Sequence, residues 1–275
     1  MTAAETSTRT ARAPRTRAVT GLDTIDTSID QACRMLQLPT IRARYEDVAA
    51  SALRDHASYK QFLADLLNSE LAERAQRRKL RLVREAAFPR PKRLEDFDFA
   101  ANPAVSPEVI NTLAHPGWVQ AGNPLCLLGD SGTGKSHLLI GIGTAIAEAG
   151  FKVRYTTTAN LVNELVEAAD ERQLSKTIAR YGKVDLLCLD EFSYLELDPA
   201  GAKLLFQIMT EREERRSIAV ASNAPFSEWK RTFTDPRLCK AIVDRITFNG
   251  HIIETGDNSY RLRAARTNRT RQPGK

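Results

Sequence analysis

The chain has 275 residues, of which 42% are apolar and 27% charged. That is enough for one α/β core with a smaller module beside it. No apolar run reaches the length of a membrane span, and no apolar segment near the start marks the chain for secretion, so a cytoplasmic protein with no membrane partner is expected. The 40 Lys and Arg against 34 Asp and Glu leave a net charge of +6, which permits nucleic-acid contact without requiring it. Cys33, Cys126, Cys188 and Cys239 form no C-x-x-C pair and the four histidines are equally dispersed. Neither a disulfide framework nor a zinc site is expected; the cysteines read as small buried hydrophobes.

Residues 1–27, rich in Thr, Ala and Arg, read as a disordered basic arm. Residues 28–93 read as a small all-α domain. Ile29, Ala32, Cys33 and Leu36 keep helical spacing, Pro39 interrupts it, and Ile41, Tyr45, Val48, Ala49 and Ala52 resume it. Ser58 and Gln61 form a capping box for a third helix with an apolar face of Phe62, Leu63, Leu66, Leu67 and Leu71. That helix then becomes basic with Arg74, Arg77, Arg78, Lys79, Arg81 and Arg84, and Pro89 and Pro91 end it. The stretch from Leu94 to Phe99 alternates acids and aromatics and reads as a strap onto the next domain.

Residues 94–263 read as an α/β domain. From about residue 120, strands alternate with helices. Strands are expected at 125–128, 153–157, 184–189, 218–222 and 251–254, and helices at 136–148, 159–181, after Pro199, and at 236–246. Five strands separated by helices predict a parallel sheet covered on both faces. Residues 264–275 form a basic tail.

The chemistry begins at Gly129, Asp130, Ser131, Gly132, Thr133, Gly134, Lys135 and Ser136, which fit G-x-x-x-x-G-K-[ST] between an apolar strand and a helix. In such a loop the glycines let backbone N–H groups wrap phosphates. Lys135 then reaches the β- and γ-phosphates of ATP, and the Ser136 hydroxyl joins the coordination of Mg²⁺. A second apolar strand delivers Asp190 and Glu191 at its end. Asp190 suits holding the metal through water and Glu191 suits polarising an attacking water as a general base. Asn223, ending another strand, suits orienting that water, although Asn is also a routine turn residue. Arg245 has two readings: a surface arginine on an amphipathic helix, or an arginine finger for a neighbouring subunit's ATP. The basic run from Arg74 to Arg84 reads either as a solvated helix face or as a contact to backbone phosphates of DNA. No base-reading motif accompanies it, so little sequence preference is expected.

Several runs together resemble the IstB family, AAA+ ATP-binding partners of insertion-sequence transposases related to the DnaC helicase loaders. They are Leu94–Phe99, Gly129–His137, Leu189–Leu195, Leu204–Ile208, Ser222–Trp229, Asp244–Ile246 and Ser259–Arg261. The resemblance implies a helical DNA-binding domain followed by an AAA+ ATPase domain, with His137 among the nucleotide-binding residues. It implies homo-oligomers with ATP at subunit interfaces, assembled on duplex DNA, that assist a transposase encoded by the same mobile element. Asn223 matches the family's sensor position and Arg245 its arginine finger. A helicase loader is the main rival and would use the N-terminal module to grip a helicase. A P-loop kinase or a nucleotide-sensing scaffold is a more distant one.

Overall fold

The computed structural model describes residues 21–194, 196–257 and 259. Arm residues 1–20, Arg261 and the tail 264–275 lie outside the described residues. Contacts divide the chain into two units, residues 1–76 and 77–275. The division falls inside a helix, upstream of the 93/94 boundary expected from sequence, because Leu82 and Ala86 already belong to the core of the second unit.

In the first unit, α1 (Gly21–Met35), α2 (Pro39–Arg54) and the first part of α3 (Tyr59–Glu85) surround Cys33, Ile41 and Leu66. Helix α1 starts upstream of residue 28, so 21–27 are not part of a disordered arm. Ile25, Ile29 and Cys33 continue the spacing of one helical face. Ser58 caps α3 as expected, its hydroxyl accepting from the Gln61 N–H, but the Gln61 side chain donates to Asp65 instead of closing the box. The apolar face of α3 is only partly covered. Leu66 is buried while Leu63, Leu67 and Leu71 are exposed, since two partner helices cover a single stripe.

Helix α2 gains no side-chain cap from Leu38, which leaves orphan N–H groups. Buried Glu70 on α3 accepts from the Thr40 and Ile41 N–H groups at 2.8 and 3.1 Å. Arg74 holds that carboxylate at 2.9 Å and also donates to the Gln37 carbonyl. Burial alone raises the Glu70 pKa, but Arg74 and the two N–H groups outweigh it and hold it below the ordinary glutamate value. A carboxyl depressed on folding contributes stability above its unfolded-state pKa and loses it as pH falls through the folded value. Glu70→Gln is therefore expected to destabilise this unit by about 1–3 kcal/mol at neutral pH and by progressively less on acidification. Helix melting followed by circular dichroism against pH checks this; a pH-independent difference would contradict it.

The second unit holds a five-stranded parallel sheet in the order β2-β3-β4-β1-β5. The strands are β1 (Leu125–Leu128), β2 (Val153–Thr157), β3 (Leu186–Asp190), β4 (Ser217–Ser222) and β5 (His251–Glu254). Successive strand residues point to opposite faces, and each face builds its own core. Leu125, Leu127, Cys188 and Ala219 pack with α6 (Lys135–Glu148). Cys126, Leu187, Leu189 and Val220 pack with α7 (Thr158–Asp170), α9 (Pro199–Arg212) and α10 (Pro236–Thr247). Burial raises the Cys126 and Cys188 thiols far above their usual range, and all four cysteines are unbridged and buried.

The helix expected over 159–181 is two: α7 and α8 (Leu174–Gly182). Arg172 at the break has φ 58°, and the turn aims Ile178 and Tyr181 back into the core that α7 already serves. Helices α4 (Pro107–Leu113), capped by Ser106, and α5 (Gly117–Gln120) occupy a stretch the sequence reading left unassigned. Fully buried Arg212 donates to the Tyr181, Asp185 and Ser217 carbonyls, joining the chain entries to β3 and β4. Desolvation lowers its pKa to about 10, which leaves it cationic at neutral pH. No helix among the described residues is long and apolar enough to cross a membrane.

Candidate functional site

Parallel strands bring their C-terminal ends to one edge of the sheet, where open α/β sheets bind ligands. The loop from β1 to α6 lies there. Gly129 has φ 146°, and a Cβ on it would stand 2.4 Å from Thr255 Oγ1 and 2.7 Å from the Gly256 carbonyl. Gly134 has φ 99°, and a Cβ there would meet the Phe97 ring at 2.6 Å. Both positions require glycine for backbone conformation and for close approach.

The loop is braced by residues that sequence reasoning did not assign. Thr255 donates its N–H to the Leu128 carbonyl at 2.7 Å, and its hydroxyl pairs with that of Thr133 at 2.6 Å. Buried Asn102 donates to the Thr133 and Thr255 carbonyls at 2.9 and 3.1 Å. The strap expected at Leu94–Phe99 does lie against this region: Leu94 contacts Gly141 and Phe97 contacts Gly134. His137 Nε2 pairs with the Arg93 carbonyl at 2.8 Å, and its ring meets Phe97 edge-on.

A cleft of about 390 Å³ brings together Ser131, Gly132, Thr133, Gly134, Lys135, Ser136, His137, Asp190, Glu191 and Asn223. Its size suits a small molecule. Lys135 is buried, and its ammonium donates to the Gly129 and Asp130 carbonyls at 2.6 and 2.7 Å. Arg90 and Lys92 add two cations to the wall that the sequence reading did not single out.

Asp190 ends β3 and is buried. Its Oδ1 accepts from the Glu191 N–H at 2.9 Å and its Oδ2 from the Tyr155 hydroxyl at 2.7 Å. Glu191 has φ 57°, uncommon for a residue with a Cβ. Asn223 follows β4 in a locked turn. Ser222 Oγ lies 2.6 Å from Ser193 Oγ, donates to the Ala224 carbonyl, and accepts from the fully buried Trp229 indole at 3.0 Å.

Arg245 stands elsewhere. In the last turn of α10 it pairs with Glu213 at 2.9 Å, lies over the Phe206 ring and donates to the Ala241 carbonyl. On α3, Arg77, Arg78, Lys79, Arg81 and Arg84 are exposed in the second unit. Arg78 donates to the Gly150 carbonyl and Arg81 lies 3.7 Å from Glu85. Arg74, in the first unit, is engaged with Glu70.

The fold is similar to AMPPCP-bound DnaA from Aquifex aeolicus, with a TM-score of 0.54 and 23% identity over 68% of this chain. The match spans 57% of the DnaA chain. It is also similar to DnaI, with a TM-score of 0.50 and 20% identity over 63% of this chain and 92% of that one. These likenesses establish the AAA+ fold. Among curated relatives, an insertion-sequence ATP-binding protein of Sinorhizobium fredii is 42% identical over 84% of this chain and 78% of its own length. Another, from Geobacillus stearothermophilus, is 34% identical over 89% and 97%. Residues 31–268 match the family described as IstB-like ATP binding protein. With that family matched over most of its length and relatives of this kind beside it, the chain belongs to the IstB-like ATP-binding proteins of insertion sequences.

Proposed function

We propose that the cleft hydrolyses ATP and that the chain, assembled on duplex DNA in the cytoplasm, assists the transposase of its element. The observation that carries this reading is the meeting of Lys135, Ser136, Asp190, Glu191 and Asn223 in one cleft. Lys135 binds the β- and γ-phosphates. The hydroxyl of Ser136 and the carboxylate of Asp190 are hard oxygen donors, which fits Mg²⁺ held by few protein ligands together with phosphates. When bound, magnesium neutralises phosphate charge. Glu191 takes a proton from the attacking water, held in place by Asn223, as the bond from the γ-phosphorus to the bridging oxygen breaks. ADP and phosphate leave.

Arg245 serves the neighbouring subunit's ATP, exchanging its partner Glu213 for a phosphate oxygen. Arg245→Ala is expected to leave Mg·ATP affinity of the isolated chain unchanged and to lower turnover in the assembly by about 10³–10⁵-fold. Wild-type turnover would remove this role. Arg77, Arg78, Lys79, Arg81 and Arg84, with Arg74 when it releases Glu70, contact DNA phosphates. Each phosphate contact steepens the salt dependence of binding by about one logarithmic unit.

Sedimentation of the Glu191→Gln protein with duplex or single-stranded DNA, with and without ATP, tests the reading. Large complexes on duplex DNA that require ATP are expected. Binding to single strands alone would overturn the duplex reading and favour a helicase loader.

A further inference from the structure

The bond between Tyr155 and Asp190 spans two strands and has a definite geometric origin. In the parallel register of β2 with β3, Thr157 stands opposite Asp190 and Tyr155 opposite Cys188. Tyr155 is thus two residues back on the same face, within reach as a diagonal neighbour for a long side chain. Its hydroxyl crosses to Oδ2 while the Glu191 N–H takes Oδ1. Thr158 Oγ1 donates to the Asp190 carbonyl at 3.2 Å. Two donors on separate oxygens fix the carboxylate plane, and Asp190 still lines the cleft.

Tyr155 is itself held from the other side. Its N–H donates to the Ala86 carbonyl at 2.8 Å, at the end of α3, and its ring meets Phe88 edge-on at 6.0 Å. Phenylalanine would fill the same space, so packing alone does not call for the hydroxyl.

We infer that Tyr155 is a positioning residue that sets the Asp190 carboxylate for magnesium. This rests on the reading of Asp190 as a metal holder. Partners that orient a ligating group commonly affect metal affinity by 10–100-fold.

The test is Mg²⁺ titration of full-length protein binding a fluorescent, non-hydrolysable ATP analogue, for wild type, Tyr155→Phe, Asp190→Asn and Phe88→Leu. Tyr155→Phe is expected to bind the analogue in EDTA as wild type does, which reports an intact fold, and to need about tenfold more Mg²⁺ for half-saturation. Asp190→Asn is expected to need at least as much. Phe88→Leu, which removes ring packing and leaves the hydroxyl bond, is expected to keep the wild-type Mg²⁺ requirement. An unchanged requirement in Tyr155→Phe beside a raised one in Asp190→Asn would overturn the positioning role alone. An unchanged requirement in both would overturn the metal role of Asp190 and this inference with it. An equal shift in Phe88→Leu would reduce Tyr155 to packing and overturn the inference.

Discussion

Lys135→Ala is expected to weaken ATP binding by at least about a hundredfold, the equivalent of losing a charge-assisted hydrogen bond of about 3 kcal/mol, and to abolish turnover. The ammonium is buried at the N-terminal end of α6 and lies against the Gly129 and Asp130 carbonyls. It is therefore already inside the loop proposed to wrap the phosphates, and no other lysine in the cleft stands on that loop. The same bonds brace the loop, so alanine also loosens it. Lys135→Arg separates the two effects, because it keeps the charge but not the compact ammonium. Calorimetric titration with the nucleotide reads the affinity directly. Wild-type affinity in the alanine variant would remove the phosphate role.

Glu191→Gln is expected to leave ATP affinity within about twofold and to slow turnover by about 10²–10⁴-fold, the usual contribution of a positioned general base. The amide keeps the size of the carboxylate, and the main-chain bond from the Glu191 N–H to Asp190 does not depend on the side chain. The loss then falls on proton transfer. Quenched-flow phosphate release after pre-binding of ATP checks it; equal loss of binding and turnover would show that the substitution damages the site instead.

The strand–loop–helix turn at residues 129–136 was legible because its backbone compels a sequence. Gly129 and Gly134 are fixed by φ and by contact with Thr255, Gly256 and Phe97, and a strand and a helix flank them. The strand ends carrying Asp190 and Asn223 were legible for a similar reason, since buried parallel strands read as apolar runs. The braces were not. Asn102 reaches Thr255 across 153 positions, and Tyr155 reaches Asp190 across 35. Both are ordinary residue types whose roles arise only when the sheet forms.

Helix limits failed where no residue marks them. Arg172 turns the chain between α7 and α8 in a conformation that glycine usually signals. Ser106 and Pro107 did carry a start signal for α4 that the sequence reading passed over. The apolar stripe on α3 was legible as a face, but periodicity shows which residues share a face, not how much of it a small helical unit covers, and Leu63, Leu67 and Leu71 stay exposed.

The most direct measurement is steady-state phosphate release from Mg·ATP by the full chain, with and without duplex DNA, alongside Lys135→Ala and Glu191→Gln. Release that is present in wild type, rises with duplex DNA, and is lost in both variants is the result expected. Release that survives Glu191→Gln, or a wild-type chain that binds ATP and never releases phosphate on duplex DNA, would contradict the account.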